Sequence, residues 1–320
     1  MSLPFSIIIP TFHRHSLVKQ LLSRLLALQY SKQDYEIIVV SNDPEDRQTE
    51  HVVKRFQKHA RNLKYCTERQ RGASLARNRG IQEAAYVYLI FVDDDVKVSP
   101  LFLKGYQRAW NRFPDVRMIG GRLIAHPTNN APLTHNQRQL VQRYDWCFGH
   151  LNRGEDDQIL TEGELLYSGN ISYRREQGQT IVFHPALGRY AAGVGRIGGE
   201  DFELCTRTIL QGERIMYIAD QDCAVENDVA VERYTEGYIS KRHFISGIEL
   251  ALQEHCIKQQ FPQFQSFYLE SLRSFEGVKR LLFNKHERTM LLSYFFNGRM
   301  FATFHSAETL SQDFSRNSLL

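Results

Sequence analysis

The chain has 320 residues, 42% hydrophobic and 24% charged, a balance that fits a soluble globular protein and excludes a disordered or fibrous one. A net charge of +4 is too small to demand a nucleic-acid partner, and none is expected. Five scattered cysteines with no Cys-x-x-Cys pair exclude a zinc knuckle and a disulfide framework.

Strand and helix signals alternate through the first hundred residues. Phe5–Ile9 is a β-branched run halted by Pro10. A helix is predicted from about Ser16, which serves as N-cap for a stripe of Leu17, Val18, Leu21, Leu22, Leu25 and Leu26. Tyr35–Val40 reads as a buried strand ending in Ser41-Asn42-Asp43-Pro44, followed by a helix over Thr49–Lys58 and a weaker strand at Leu63–Cys66. Gly72 precedes a helix over about Ser74–Ala85, and the apolar run Tyr86–Val92 then forms a central strand. This alternation predicts βαβ units and a mostly parallel sheet flanked by helices.

Beyond Leu101 the pattern is mixed. One strand is expected over Arg117–Ile124, passing through Gly120-Gly121, with others at Leu165–Tyr173 and Arg214–Ala219. Residues from about His126 to Glu164 read as irregular, Val229–Gly237 as a mobile segment, and the chain from Glu236 onward as helical, interrupted near Pro262 and Asn297-Gly298. The expected division is an α/β domain over 1–237, with halves 1–100 and 101–237, and a helical extension over 238–320.

The most informative residues are Asp93-Asp94-Asp95, directly after the central strand. By themselves three aspartates are most simply a solvated acidic turn. At the carboxyl end of a parallel sheet, where open α/β folds bind ligands, they would repel one another unless a cation sat among them. Oxygen ligands suit Mn²⁺ or Mg²⁺, and the expected ligand therefore carries phosphate. Arg77 opens a helix and suits phosphate through its planar fork. Gly198-Gly199 permits close backbone approach just before Glu200-Asp201, two acids at the start of an apolar-periodic helix.

Four strings in order, Pro10-Thr11-Phe12-x-Arg14, Ser41-Asn42-Asp43, Gly72…Arg77-Asn78-Arg79-Gly80 and Asp93-Asp94-Asp95, resemble the nucleotide-sugar half of a family 2 glycosyltransferase with the GT-A fold. Ser168-Gly169-Asn170 and Gly198-Gly199-Glu200-Asp201 resemble its acceptor half, so the likeness spans about residues 5–247. The resemblance implies a metal-dependent, inverting transfer of a sugar from a nucleoside diphosphate sugar to a hydroxyl of a glycan, lipid-linked or small-molecule acceptor. It makes Asp201 the general base, with Glu200 orienting it or the acceptor. Asp95 and Asp93 become the metal ligands, and Asp93 or Asp94 the ribose contact. Pro10, Thr11, Phe12, Arg14, Asn42, Asp43, Gly72, Arg77, Gly169 and Asn170 line the donor site. Two departures stand out: Ser41 occupies the place of the family's base-contacting acid, leaving uridine, guanosine and thymidine open. Val225-Glu226-Asn227 carries no histidine where relatives offer another metal or diphosphate contact. A nucleotidyltransferase, or an inactive binding protein of the same fold, are the alternatives.

The amino terminus, Met1-Ser2-Leu3-Pro4-Phe5, lacks signal-peptide character, and no run approaches the roughly 20 apolar residues of a membrane span, so a cytoplasmic protein is expected. Residues 273–299 are basic and amphipathic. They are expected to pack on the catalytic domain or another subunit, or to lie peripherally on the inner face of an anionic membrane.

Overall fold

The computed structural model describes residues 2–176, 183–188, 198–265 and 284–303, with backbone alone from 295 onward. Strand β1 (Phe5–Thr11), helix α1 (His15–Leu25), β2 (Tyr35–Ser41), α2 (Arg47–Gln57), β3 (Leu63–Thr67), α3 (Ala73–Glu83) and β4 (Tyr88–Val92) follow the predicted alternation. β1, β2, β3 and β4 lie parallel, in the order β3-β2-β1-β4. Helix α1 starts at His15, with Arg14 rather than Ser16 at its N-cap position and no side-chain cap. The cap signal belongs instead to α2, where the Asp46 carboxylate accepts from Thr49 N–H.

After β4 the chain runs through β5 (Val96–Val98) and α4 (Phe102–Arg112) to β6 (Met118–Gly120) and β7 (Leu123–Pro127). The single strand expected over Arg117–Ile124 is therefore two, in different sheets. The break has a steric cause: a Cβ at Gly121 would collide with the Cys223 carbonyl and the Asn170 amide. Only glycine lets the chain turn there.

The region expected to be irregular contains α5 (His135–Tyr144) and β8 (Gln158–Leu160). α5 escapes periodicity because Tyr144 is its only buried residue, yet Thr134 and Gln137 close a capping box at its start. β9 (Asn170–Arg174), α6 (Glu200–Leu210), β10 (Ile215–Tyr217) and β11 (Val225–Val229) complete the two sheets and their flanking helices up to residue 229. β9 runs antiparallel between β4 and β6, and the large sheet reads β3-β2-β1-β4-β9-β6-β10-β8. A small sheet, β5-β11-β7, hangs beside it.

Alternation along the central strands places apolar side chains on both faces, which is why they read as continuous apolar runs. Ile7, Ile9, Ile37 and Val39 pack with Leu21 and Leu22 of α1, Val53 of α2 and Trp110 of α4. Ile8, Ile38, Val40 and Phe91 face Ala76 of α3 and Leu204 of α6. The expected mobile segment at Val229–Gly237 is instead the end of β11, a short 3-10 turn and the start of α7 (Glu236–Gln260), capped by Thr235. α8 (Lys285–Thr303) runs straight through Asn297-Gly298, with no interruption there. Of the basic stretch 273–299, residues 273–283 lie outside the described residues. No described helix is long and apolar enough to cross a membrane.

Candidate active site

Parallel β1 and β4 end side by side, which brings Thr11 and Arg14 to the aspartate triplet. Asp94 is buried, and both of its oxygens are committed: Thr11 Oγ1 donates to Oδ2 at 2.6 Å and Arg14 Nη1 to Oδ1 at 2.6 Å. Arg14 also pairs with Asp95 at 3.0 Å. Burial pushes the Asp94 carboxyl up to about 7 against the pull of Arg14. Burial and then the neighbouring Asp93 raise Asp95 as well. The cation that three crowded carboxylates call for is thus supplied in part by the protein's own arginine.

Asp93 is different. Its side chain keeps 43% of its exposure, with Oδ1 held by Arg77 Nη2 at 3.1 Å. The close approach of Gly169 explains why that position carries no side chain: a Cβ would stand 2.9 Å from Asp93 Oδ2. With Asp94 saturated, Asp93 is the acid of the proposed ribose pair that faces outward.

Arg77 lies almost fully buried on α3 rather than on a solvated face. Its other terminal nitrogen donates to Glu200 Oε1 at 2.9 Å, and the Phe183 ring lies 5.4 Å from its guanidinium carbon. One side chain therefore ties the end of β4 to the start of α6. Asp201, the next residue, accepts from Ser168 N–H at 3.0 Å. Burial, then the adjacent Glu200, push its carboxyl up to about 7, with Arg77 and the Ser168 N–H opposing.

Helix α7 braces this segment from behind. Glu249 Oε1 accepts from Gly198 N–H at 2.7 Å, and Gly199, at φ 99°, lies so close to Gln253 that no Cβ would fit. Neither Glu249 nor Gln253 was singled out from the sequence. Their spacing of four on a buried helix face was the available signal. Arg242 of the same helix lies 3.6 Å from Glu249.

Other expected site residues hold the framework. The Asn42 amide donates to the carbonyls of Glu68 and Gln70, and its oxygen accepts from Gly72 N–H at 2.6 Å. Asn42 thus shapes the turn that leads into α3. The Asn170 amide is spent on the carbonyls of Arg122 and Cys223, and its oxygen accepts from Tyr106 Oη. Asp43 pairs with His13 at 3.0 Å, and the Glu45 N–H and His13 hold its carboxyl below the usual range. Pro10 is half-buried at the end of β1, and Phe12 beyond it lies under Arg71 at 5.2 Å.

Among the described residues no group of three or more His, Cys, Asp or Glu side chains is placed to hold a metal ion. The donor set nevertheless fits a cation completed by phosphate oxygens. Asp93 and Asp95 each keep one oxygen outside their arginine pairs, and Mg²⁺ is commonly held by one or two carboxylates plus the ligand's phosphates. Asn227 pairs in register with Val96, directly after Asp95, and its Oδ1 is buried without a hydrogen-bond partner among the described residues.

The sequence profile of glycosyl transferase family 2 matches residues 6–177. The chain belongs to this family. The match takes in β1 to β9, and hence Asp93–Asp95 and Gly169, while Glu200 and Asp201 lie beyond it. Chondroitin synthase of Escherichia coli is 32% identical over 282 residues, 81% of this chain and 38% of its own length. The glycosyltransferase AglE of Haloferax volcanii is 33% identical over 147 residues, 45% of each chain. The chain thus spans less than half the length of these two relatives. Among solved structures, a mannosyltransferase of Pyrobaculum calidifontis in complex with GDP-Man and Mn²⁺ superposes with a TM-score of 0.56. That likeness has 15% identity and covers 100% of this chain and 81% of that one. TarS 1–349 of S. aureus in complex with UDP gives 0.53 at 16% identity, covering 98% and 89%. The shared fold is GT-A.

Proposed function

We propose that this family 2 member transfers a sugar from a nucleoside diphosphate sugar to a hydroxyl of a glycan or lipid-linked acceptor, with inversion at the anomeric carbon and with Mn²⁺ or Mg²⁺. The observation that carries the reading is Arg77, which holds Asp93 and Glu200 at 3.1 Å and 2.9 Å and so brings together two acid clusters far apart in sequence. Relatives and fold neighbours support it. AglE is named a glycosyltransferase and the Pyrobaculum calidifontis structure a mannosyltransferase, and the two structures hold GDP-Man with Mn²⁺ and UDP respectively.

In this scheme the acceptor hydroxyl meets Asp201. The Ser168 N–H fixes one carboxylate oxygen, leaving the other to take the proton as the hydroxyl attacks the anomeric carbon. A carboxyl with its pKa near 7 is a better base at neutral pH than an ordinary aspartate. Asp93 and Asp95, with Asn227 as a candidate third oxygen donor, would hold the cation. When bound, it supplies Lewis-acid neutralisation of the charge that grows on the departing diphosphate. Thr11 and Arg14 keep Asp94 in place beneath them. Arg77 acts as a positioning residue, buried behind the acids rather than reaching for phosphate. A single base and direct displacement give inversion.

Donor hydrolysis over a panel of nucleotide sugars tests the reading, each with Mn²⁺, with Mg²⁺ and with chelator. Turnover of at least one donor that stops with chelator is expected. No turnover of any donor in either metal would remove the enzyme reading.

A further inference from the structure

At the opposite end of the sheet, a cleft of about 1050 Å³ wraps the amino-terminal ends of β2 and β3. Lys19 of α1, Lys32 of the following loop, Arg55 of α2, Lys58 and Arg61 of the next loop and Lys64 of β3 line it. The single carboxylate among its lining residues, Glu36, is already paired with Lys64 at 2.6 Å. Six cations against one neutralised acid concentrate more charge here than the net +4 of the whole chain. Among the described residues no carboxylate lies within ion-pair distance of Lys19, Arg55, Lys58 or Arg61. Unpaired like charges brought together in a concave surface repel one another, and an anion relieves that repulsion. Half-buried Phe56 and Tyr86 stand in the walls, and apolar ring faces beside cations suit the C–H faces of sugars.

We propose that this cleft is a second binding site, for a linear acidic glycan whose carboxylates, sulfates or phosphates pair with these cations. A bilayer fits less well. A strand of seven residues separates the cleft from the acid cluster by roughly 20 Å along β2. A membrane docked on the cleft would therefore turn the catalytic end away from its surface. A flexible chain has no such conflict, because it can leave the cleft and pass along the protein. That the bound chain is also this enzyme's acceptor rests on the transferase reading; the binding itself does not.

Fluorescence anisotropy of a labelled oligogalacturonate tests the site. The full chain is expected to bind it, to lose affinity as salt rises, and to ignore a neutral labelled dextran. The triple variant Arg55→Glu/Lys58→Glu/Arg61→Glu should bind about tenfold or more weakly, the scale of a field built by several charges. Its donor hydrolysis and circular dichroism should stay at the parent level. Arg55→Gln/Lys58→Gln/Arg61→Gln gives a milder form of the same loss without reversing charge. Unchanged binding in both variants would overturn the site. Equal binding of a thymidine oligonucleotide, or co-sedimentation with phosphatidylglycerol vesicles without oligogalacturonate binding, would overturn the choice of ligand. If hydrolysis fails with every donor while charge-dependent glycan binding persists, the transferase reading falls and this site stands.

Discussion

The two acid clusters of the catalytic end are built on different supports. Asp93–Asp95 sit at the end of a strand, and their neutralising groups come from the same half of the chain: Thr11, Arg14 and Arg77. Glu200 and Asp201 sit at the start of a helix entered through two glycines. They are braced by residues from elsewhere, namely Arg77 of α3, the Ser168 N–H and, behind the glycines, Glu249 and Gln253 of α7. The strand-end cluster is rigid because neighbouring strands, β1 parallel and β9 antiparallel, fix it on both sides. The helix-start cluster depends on a few specific bonds, so single substitutions there should separate activity from stability more sharply. Arg77 alone belongs to both.

Arg77→Met should therefore have the largest effect on stability. It strands the buried Glu200 carboxylate, which costs about 3–5 kcal/mol, and it releases α6 from β4. Urea unfolding measures the loss; a change within the scatter of surface substitutions would mean the two clusters are not coupled through this residue.

The pH dependence is next. The proposed base, Asp201, can act only when deprotonated, and its carboxyl lies near 7, so kcat/KM should fall about tenfold per pH unit below about 7. Stability runs the other way. Carboxyls raised in the folded state hold protons that the unfolded chain would release, so their contribution is complete below about pH 4. It is lost as pH rises to about 7. Thermal melts without divalent cation should show stability from these groups declining across that window. Mn²⁺ with a nucleoside diphosphate should offset the decline.

Gly169→Ala probes the strand-end cluster. A methyl 2.9 Å from Asp93 Oδ2 pushes that carboxylate aside, and nucleotide affinity by calorimetry should drop about tenfold, as displaced site groups do. The smallest effect is expected for Glu249→Gln. It keeps an acceptor for Gly198 N–H and weakens a charge-assisted bond to an ordinary one, about 1 kcal/mol. A decline in kcat with nucleotide binding unchanged would identify the brace as specific to the acceptor side.

The contrast between the clusters also marks what could be read from the chain itself. β1, β2 and β4 announced themselves through buried β-branched runs, and Asp93–Asp95 and Gly198–Asp201 through short contiguous strings. α5 did not, because a surface helix with one buried residue has no apolar period; its Thr134…Gln137 box was the legible part. The roles of Arg14 and Arg77 were illegible for another reason. A residue type can suit phosphate, but only the fold brings Arg14 to Asp94 and leaves Arg77 buried between two acids. Asn42 and Asn170 show the same limit, since their amides are spent on main-chain carbonyls that no motif names. The basic cleft was hidden because its cations are scattered over two helices, two loops and a strand.

In the proposed reaction the strand-end acids hold the donor while Asp201 takes the acceptor's proton. Nucleotide binding in Mn²⁺ and sugar transfer, measured side by side in Asp95→Ala and Asp201→Asn, test it most directly. Asp95→Ala should lose nucleotide affinity. Asp201→Asn should bind nucleotide like the parent yet transfer about 10²–10⁴-fold more slowly. Parent-like transfer by Asp201→Asn, or undiminished nucleotide binding by Asp95→Ala, would contradict the account.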